Sequence, residues 1–324
     1  MNRLPSPLSL VLGALLVLTA SSQVAHAQTA PEFVSFQPVT NGEVALKLVA
    51  PAKSVFRVEQ SADLTTWMSL FSAASVGTNP FTDGGAPFAG RRFFRALAVE
   101  PPTVLTGDHL PTADGDVVIP PINHATLVLG WRDKLIYVDP VGGVGRFPGI
   151  GKADLVLVTH NHGDHLDAST LLATRRTNAI VLAPAVVQVS LPASLKTNTT
   201  AMTNGAVVSV LGLTVEAVPA YNLTSAYHPK GSGNGYVLTI GGRRIYIGGD
   251  TEDIPEMRAL QDIDVAFVPM NLPFTMSIPK AVSAVRQFRP KVVYPYHYSG
   301  SNAQQFKTQV GTDLGIEVRL RNWY

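Results

Sequence analysis

The chain of 324 residues contains no cysteine. That excludes a thiolate metal ligand, a cysteine nucleophile and any disulfide, and it fits an oxidising compartment. Charge is also scarce. Only 15% of residues are charged and the formal net charge is +2, with no basic stripe. Such a balance lacks the electrostatic footprint of a nucleic-acid-binding protein. Long apolar runs are nearly missing too. The one candidate, Leu8 to Leu18, is too short for a comfortable membrane span. Arg3 precedes it and Ala25-His26-Ala27 follows it, so residues 1–27 read as a secretory signal peptide. An uncleaved anchor is the alternative. Either way the body of the protein is expected in the periplasm or outside the cell. What is abundant is hydrophobic content, at 46%, which suits a compact globular protein.

The remainder divides at Pro101-Pro102. Residues 28–100 carry short strand candidates at Phe33–Phe36, Val44–Val49 and Val55–Val58, followed by Ser61–Trp67, Phe81–Asp83 and Arg91–Arg95. The expectation is a small β-sandwich-like module without catalytic residues, with Trp67 and Phe93 as core anchors. It is a candidate for attachment to a surface, a glycan or a partner. Residues 103–324 alternate strands and helices. Ala125–Gly130 and Lys134–Val138 form a hairpin candidate, Asp154–Thr159 a buried strand, and Asp167–Arg175 a helix with Asp167 as N-cap. Ala179–Leu182 reads as a strand. Further strands are expected at Val207–Leu211, Leu213–Val218, Gly235–Ile240 and Arg243–Ile247, with Gly241-Gly242 as the turn between the last two. Asp264–Pro269 is a strand, Pro279–Phe288 a helix and Lys291–Tyr296 a strand. Two strand-rich halves, each followed by helix and strand, predict an α/β fold of four layers, two sheets packed together with helices outside.

The densest chemical signal is Thr159-His-Asn-His-Gly-Asp-His165. His160, His162, Asp164 and His165 place four ligand-type side chains within six residues, directly after a strand candidate. Imidazole and carboxylate are the donors preferred by zinc and similar divalent ions. A solvated loop gains nothing from this spacing. Other pieces are weaker alone. Gly248-Gly249-Asp250 ends a strand candidate with an acid, where the plain alternative is an N-cap for a helix starting near Pro255. His228 lies in a loop, and His297 ends the strand candidate before it.

Together, in order and content, these pieces resemble the metallo-β-lactamase superfamily over most of residues 120–300. Ile122-Asn-His-Ala125 with Tyr137-Val-Asp-Pro140 looks like the opening hairpin of that family. Ala220–Asn222, His228-Pro-Lys-Gly231, Tyr246, Pro269 and Phe274-Thr-Met276 resemble its simple metal-dependent hydrolases. That branch is similar to the ascorbate-6-phosphate lactonase group and, more distantly, to N-acyl-phosphatidylethanolamine phospholipase D. The resemblance implies His160, His162 and His228 on one metal, Asp164, His165 and His297 on a second, and Asp250 bridging them. His124 and Asp139 would support the site from behind.

Two divalent cations, zinc first and manganese or iron as alternatives, would supply a hydroxide at neutral pH. It would attack a small-molecule lactone, ester or phosphodiester. Asp164 and Asp250 would take part in catalysis, and Asp164 would ligate or handle the proton of the attacking water. One of Tyr221, Tyr227, Tyr296 and Tyr298 would donate to the developing oxyanion. A β-lactam substrate, a non-catalytic ligand-binding protein and an iron-dependent redox member are the alternatives.

Overall fold

The computed structural model describes residues 30–38, 44–51, 55–75, 77–83, 92–99, 105–113, 115–132 and 134–324. The signal-peptide and Pro101-Pro102 expectations lie outside the described residues. Two small antiparallel sheets come first. One has strands β1 (Glu32–Pro38), β2 (Val44–Val49) and β5 (Thr78–Asp83), in the order β1-β2-β5. The other has β3 (Val55–Ser61), β4 (Met68–Ala74) and β6 (Phe93–Val99), in the order β4-β3-β6. Leu48, Ala50, Phe56 and Val58 form the buried cluster between them, with Phe33, Phe81, Phe94 and Ala96 packed against it. Trp67 and Phe93, expected as anchors, are only half-buried. Trp67 instead lies under the guanidinium of Arg95, 4.2 Å from its ring centre. The core position belongs to Phe56, which alternation on β3 turns inward.

Next comes a sheet built from β7 (Asp108–Leu110), β8 (Val117–Ile119), β9 (Pro121–Asn123), β10 (Thr126–Trp131), β11 (Lys134–Val138), β12 (Ala153–Leu157), β13 (Arg175–Ala183) and β14 (Thr199–Ala201). Its order is β14-β13-β12-β11-β10-β8-β7, with β9 also on β10. Arg57 Nη1 donates to Asp116 Oδ2 at 2.6 Å, and His109 Nδ1 lies 2.9 Å from the same oxygen. This cluster ties β3 to the β7–β8 turn.

A second large sheet is β15 (Val207–Val210), β16 (Leu213–Ala220), β17 (Gly233–Ile240), β18 (Arg243–Ile247), β19 (Val265–Pro269), β20 (Val292–Tyr296) and β21 (Glu317–Val318), in chain order. In both large sheets an antiparallel hairpin leads into parallel strands. The β10–β11 and β17–β18 pairs are antiparallel, and β11–β12–β13 and β18–β19–β20 are parallel.

Alternation along the strands produces the layers. Leu127 and Leu129 on β10 and Val265 and Phe267 on β19 point between the two sheets. Their neighbours Val128, Ala266 and Val268 point outward. Strands buried on both faces read as continuous apolar runs. The outer faces are covered by helices. On the first sheet these are α1 (Ala168–Thr174), α2 (Ala185–Ser190) and α3 (Ala193–Lys196), through Leu171, Val187 and Leu195. On the second they are α4 (Pro255–Arg258), α5 (Ile278–Phe288) and α6 (Ala303–Val310), through Met257, Val285 and Phe306. The result is the four-layer α/β sandwich expected from the pattern.

Asp167 caps α1 by accepting from the amides of Ser169 and Thr170. The hydroxyls of Ser169 and Thr170, then those amides, hold its carboxyl at about 2. Asp167→Ala is therefore expected to cost about 1 kcal/mol at neutral pH. The native carboxyl is lowered, so this contribution is present above the ordinary carboxylate range and fades as pH falls through about 2. Urea unfolding of both proteins from pH 7 to pH 2 measures it. A difference that stays constant down to pH 2 would refute the cap.

Candidate metal centre

In an α/β sheet, loops after parallel strands gather at the carboxyl edge. Here both sheets present that edge to the same place. β11 ends at Val138 and delivers Asp139, and β12 ends at Leu157 and delivers the loop His160–His165. From the facing sheet, β18 ends at Ile247 before Gly248-Gly249-Asp250, and β20 ends at Tyr296 before His297. Gly249 adopts φ 62°, and a Cβ there would lie 3.1 Å from Asn234 O and from Thr159 Cβ. A side chain at this crossing would push the two sheets' loops apart.

Three overlapping groups of donor atoms result, each with its atoms within 4.8 Å of one another. They are His160, His162 and His228; His160, His165 and Asp250; and His124, Asp164, His165 and His297. Asp250 lies at the centre. Its Oδ2 is 3.3 Å from His228 Nε2 and 4.0 Å from His160 Nε2. Its Oδ1 is 3.2 Å from His165 Nε2 and 3.3 Å from His297 Nε2. Asp164 Oδ2 lies 3.4 Å from His297 Nε2 and 3.7 Å from His165 Nε2. His228 Nε2 is 3.1 Å from His162 Nδ1. All seven residues singled out in the sequence thus share one cluster. Asp250 does not cap the helix near Pro255, where α4 begins after Ile254.

The inner members, His160, His165, His228, Asp250 and His297, are buried, while His162 and Asp164 are exposed. The cluster is therefore open to solvent on the side of the His160–His165 loop. Several buried donor atoms aimed into it have no partner: Nε2 of His160, His165 and His297, and Oδ1 of Asp250. Buried polar atoms are normally satisfied. Five imidazoles and two carboxylates, with their free atoms converging, fit a divalent cation.

Groups behind the cluster fix its orientation. Asp139 is fully buried. Its Oδ1 accepts from Thr159 N at 2.7 Å, and its Oδ2 accepts from Thr159 Oγ1 and His165 Nδ1, both at 2.7 Å. His165 is thereby left with Nε2 facing Asp250. Asn222 Oδ1 lies 2.6 Å from His228 Nδ1 and does the same for that ring, while its Nδ2 donates to Phe274 O. Such partners set imidazole tautomer and ligand basicity. His124, Asp139 and His297 all adopt left-handed backbone, with φ of 54°, 46° and 45°.

Burial alone would raise the Asp250 carboxyl, but the His165 and His297 imidazoles outweigh it and hold the group ionised. Asp164 is likewise held down against burial, by the hydrogen bond to His124 and the nearby His297 and His165 imidazoles. Burial pushes His160 and His228 down toward the neutral form. Burial also opposes the charged form of His165, yet Asp250 and Asp139 outweigh it and raise that ring. Ionised carboxylates and neutral imidazoles are the metal-binding states, so His165 has to give up its second proton as a cation binds.

The expected tyrosines are mostly committed elsewhere. Tyr221 donates to Glu256 Oε2 at 3.0 Å, and buried Tyr296 accepts from Gly249 N at 2.8 Å. Tyr298 donates to Arg321 O at 3.4 Å. Tyr227 is exposed beside His228 and pairs edge-to-face with exposed Phe274, with centroids 5.0 Å apart. Tyr324, which sequence reasoning missed, has its hydroxyl 2.8 Å from His124 Nδ1. No local motif announces it, because the contact joins residues 200 positions apart.

Residues 119–297 match the family model described as the beta-lactamase superfamily domain. A metal-dependent hydrolase of Pyrococcus abyssi is 30% identical over 212 residues, covering 61% of this chain and 93% of the relative. One from Thermococcus onnurineus is 33% identical over 177 residues, covering 52% of this chain and 79% of the relative. Among solved structures, a protein of Parabacteroides distasonis described as a metal-dependent hydrolase is 40% identical, with a TM-score of 0.61. The match covers 66% of this chain and 97% of that one. The metallo-β-lactamase fold protein YhfI of Bacillus subtilis shares the fold at 13% identity, with a TM-score of 0.51 over 61% of this chain and 89% of that one. With the sandwich, the donor cluster and these matches in agreement, the chain belongs to the metallo-β-lactamase superfamily and is a metal-dependent hydrolase.

Proposed function

We propose that the chain is a secreted hydrolase that uses two divalent cations, zinc in the first instance, to cleave a lactone, ester or phosphodiester. The observation that carries this reading is the division of Asp250. One carboxylate oxygen faces His160 and His228, and the other faces His165 and His297. A carboxylate shared in this way suits two cations better than one. His160, His162 and His228 would hold the first, Asp164, His165 and His297 the second, and Asp250 both. Such a pair, when bound, activates water at neutral pH and polarises the group under attack. The chain's own contribution is to hold the donors. Asp139 and Asn222 fix two of the rings, and the exposed side at His162 and Asp164 admits substrate. The exposed Tyr227–Phe274 pair borders the His228 loop and would line the approach. Export rests on Arg3, the Leu8–Leu18 run and Ala25-His26-Ala27.

Metal analysis of protein purified without added metal tests the reading, with His162→Ala as control. Roughly two equivalents per chain, reduced in the control, are expected for a two-cation site. The occupying metal then guides a screen of lactones, esters, phosphodiesters and β-lactams. One equivalent or less, not raised by adding zinc, manganese or iron, would overturn the two-cation assignment.

A further inference from the structure

Tyr324 belongs to none of the donor groups above, and about half of its surface is exposed. Its hydroxyl is nevertheless engaged on every side. The amides of Tyr298 and Ser299 donate to it at 2.9 and 2.8 Å. His124 Nδ1 lies 2.8 Å away. A phenol oxygen accepts in up to two directions and carries one hydrogen. The two amides, which can only donate, take both acceptor directions. The remaining contact must be the phenol donating to His124 Nδ1. That nitrogen is then an acceptor, and the ring's proton sits on Nε2, 3.2 Å from Asp164 Oδ2.

We infer that Tyr324 is a positioning residue for the metal centre. It fixes His124 as the Nε2–H tautomer, and His124 in turn donates to Asp164 and holds that carboxylate beside His165 and His297. Asp164 is half exposed on a loop, so without such a donor nothing among the described contacts fixes it from that side. The rings are arranged for the task. His124 lies against His297 with centroids 3.8 Å apart, and Tyr324 meets His124 edge-on at 5.6 Å.

The segment that carries Tyr324 is itself pinned. Buried Trp323 packs edge-on against Phe267 and Tyr296. Trp323 O accepts from His124 N at 2.8 Å and from Asn123 Nδ2 at 3.2 Å. Arg321 donates twice to buried Asp108 Oδ1, at 3.1 and 2.8 Å. These contacts fix the phenol to within hydrogen-bonding distance of a ring that is not its chain neighbour.

The inference rests on the proposed function only in taking Asp164 as a metal ligand. The tautomer of His124 does not depend on it. Long-range ¹⁵N NMR of the imidazoles, on metal-free and on zinc-loaded protein, is the test. The wild type should show His124 as a single Nε2–H tautomer, and Tyr324→Phe, which keeps the ring packing, should show a tautomer mixture. In a zinc titration the variant should lose roughly 10- to 100-fold in affinity for the weaker-bound equivalent, as for other groups that orient metal ligands. His124→Asn, chosen because asparagine tolerates the left-handed backbone, should show the same loss, and adding Tyr324→Phe to it should cost nothing more. A wild-type His124 protonated on Nδ1 would overturn the inference whether or not the variants fold. So would an unchanged tautomer in Tyr324→Phe, or an equal loss of affinity when that change is added to His124→Asn. The imidazole spectrum reads out even if the protein binds a single cation or cleaves none of the substrates screened.

Discussion

Asp250→Asn is expected to lower kcat/KM by about 10³-fold, because the Lewis-acid stabilisation lost is worth several kcal/mol and each 1.36 kcal/mol is about tenfold. The substitution changes almost no volume, so packing around residue 250 is kept. What changes is charge and donor count. The amide is neutral and offers one oxygen, where the carboxylate turns one oxygen to His160 and His228 and the other to His165 and His297. Four buried imidazoles would then face a group that cannot bridge. The amide NH₂ would also confront the nitrogens of one pair, so one cation should be lost along with the rate. Metal content and steady-state kinetics on the same preparation check both. A variant that keeps wild-type metal content and comes within threefold of wild-type turnover would remove Asp250 from the centre of the chemistry.

Stripping the metal should also cost a large part of the stability. The donors come from both sheets: His160 to His165 follow β12, while Asp250 and His297 follow β18 and β20. A bound cation would therefore add a link between two layers that otherwise meet through the apolar core and cross-sheet hydrogen bonds such as Tyr236 to Val158 O and Arg321 to Asp108. A ligand present at about 1,000 times its Kd stabilises by roughly 4 kcal/mol. For a domain of this size each kcal/mol moves Tm by about 2–4 °C. The expected fall on chelation is therefore on the order of 8–16 °C. Calorimetry before and after exhaustive dialysis against a chelator, then after adding the metal back, measures it. A Tm unchanged by chelation, with metal analysis showing that the ions have gone, would mean that the folded and unfolded chains hold them equally.

The parts of this molecule that could be read in its sequence are those where one segment carries its own signal. β18 and β11 fall where alternation and flanking turns place them, at Arg243–Ile247 and Lys134–Val138. The His160–His165 run announced itself because four donor side chains crowd six positions. β4, α2 and α6 escaped, with seven, six and eight residues, and so did several elements too short to develop a period. β7, β8, β9 and β14 have three residues each, β21 has two, and α3 has four. Arg175, expected to close the first helix, instead opens β13. Its buried guanidinium reaches the carbonyls of Arg176 and Thr177, a local partner that helix propensity does not weigh. At the site, His228 was legible only by resemblance, because nothing in a loop says which way an isolated histidine faces. Asn222 drew notice only as part of the Ala220–Asn222 resemblance, and the structure places it behind His228. Asp139 was placed behind the site by the resemblance, but that it holds His165, and that Tyr324 reaches His124, are long-range contacts that only the folded backbone shows.

The left-handed backbone at His124, Asp139 and His297 limits how this pocket can be rebuilt. Asparagine, aspartate, histidine and glycine visit that conformation at modest cost, whereas valine, isoleucine and threonine are genuine outliers there. A library that randomises all three positions would spend most of its members on chains that cannot close the strand ends. Repertoires meant to alter what the enzyme accepts are better confined to Tyr227 and Phe274 beside the His228 loop, where side chains are exposed and φ is not left-handed.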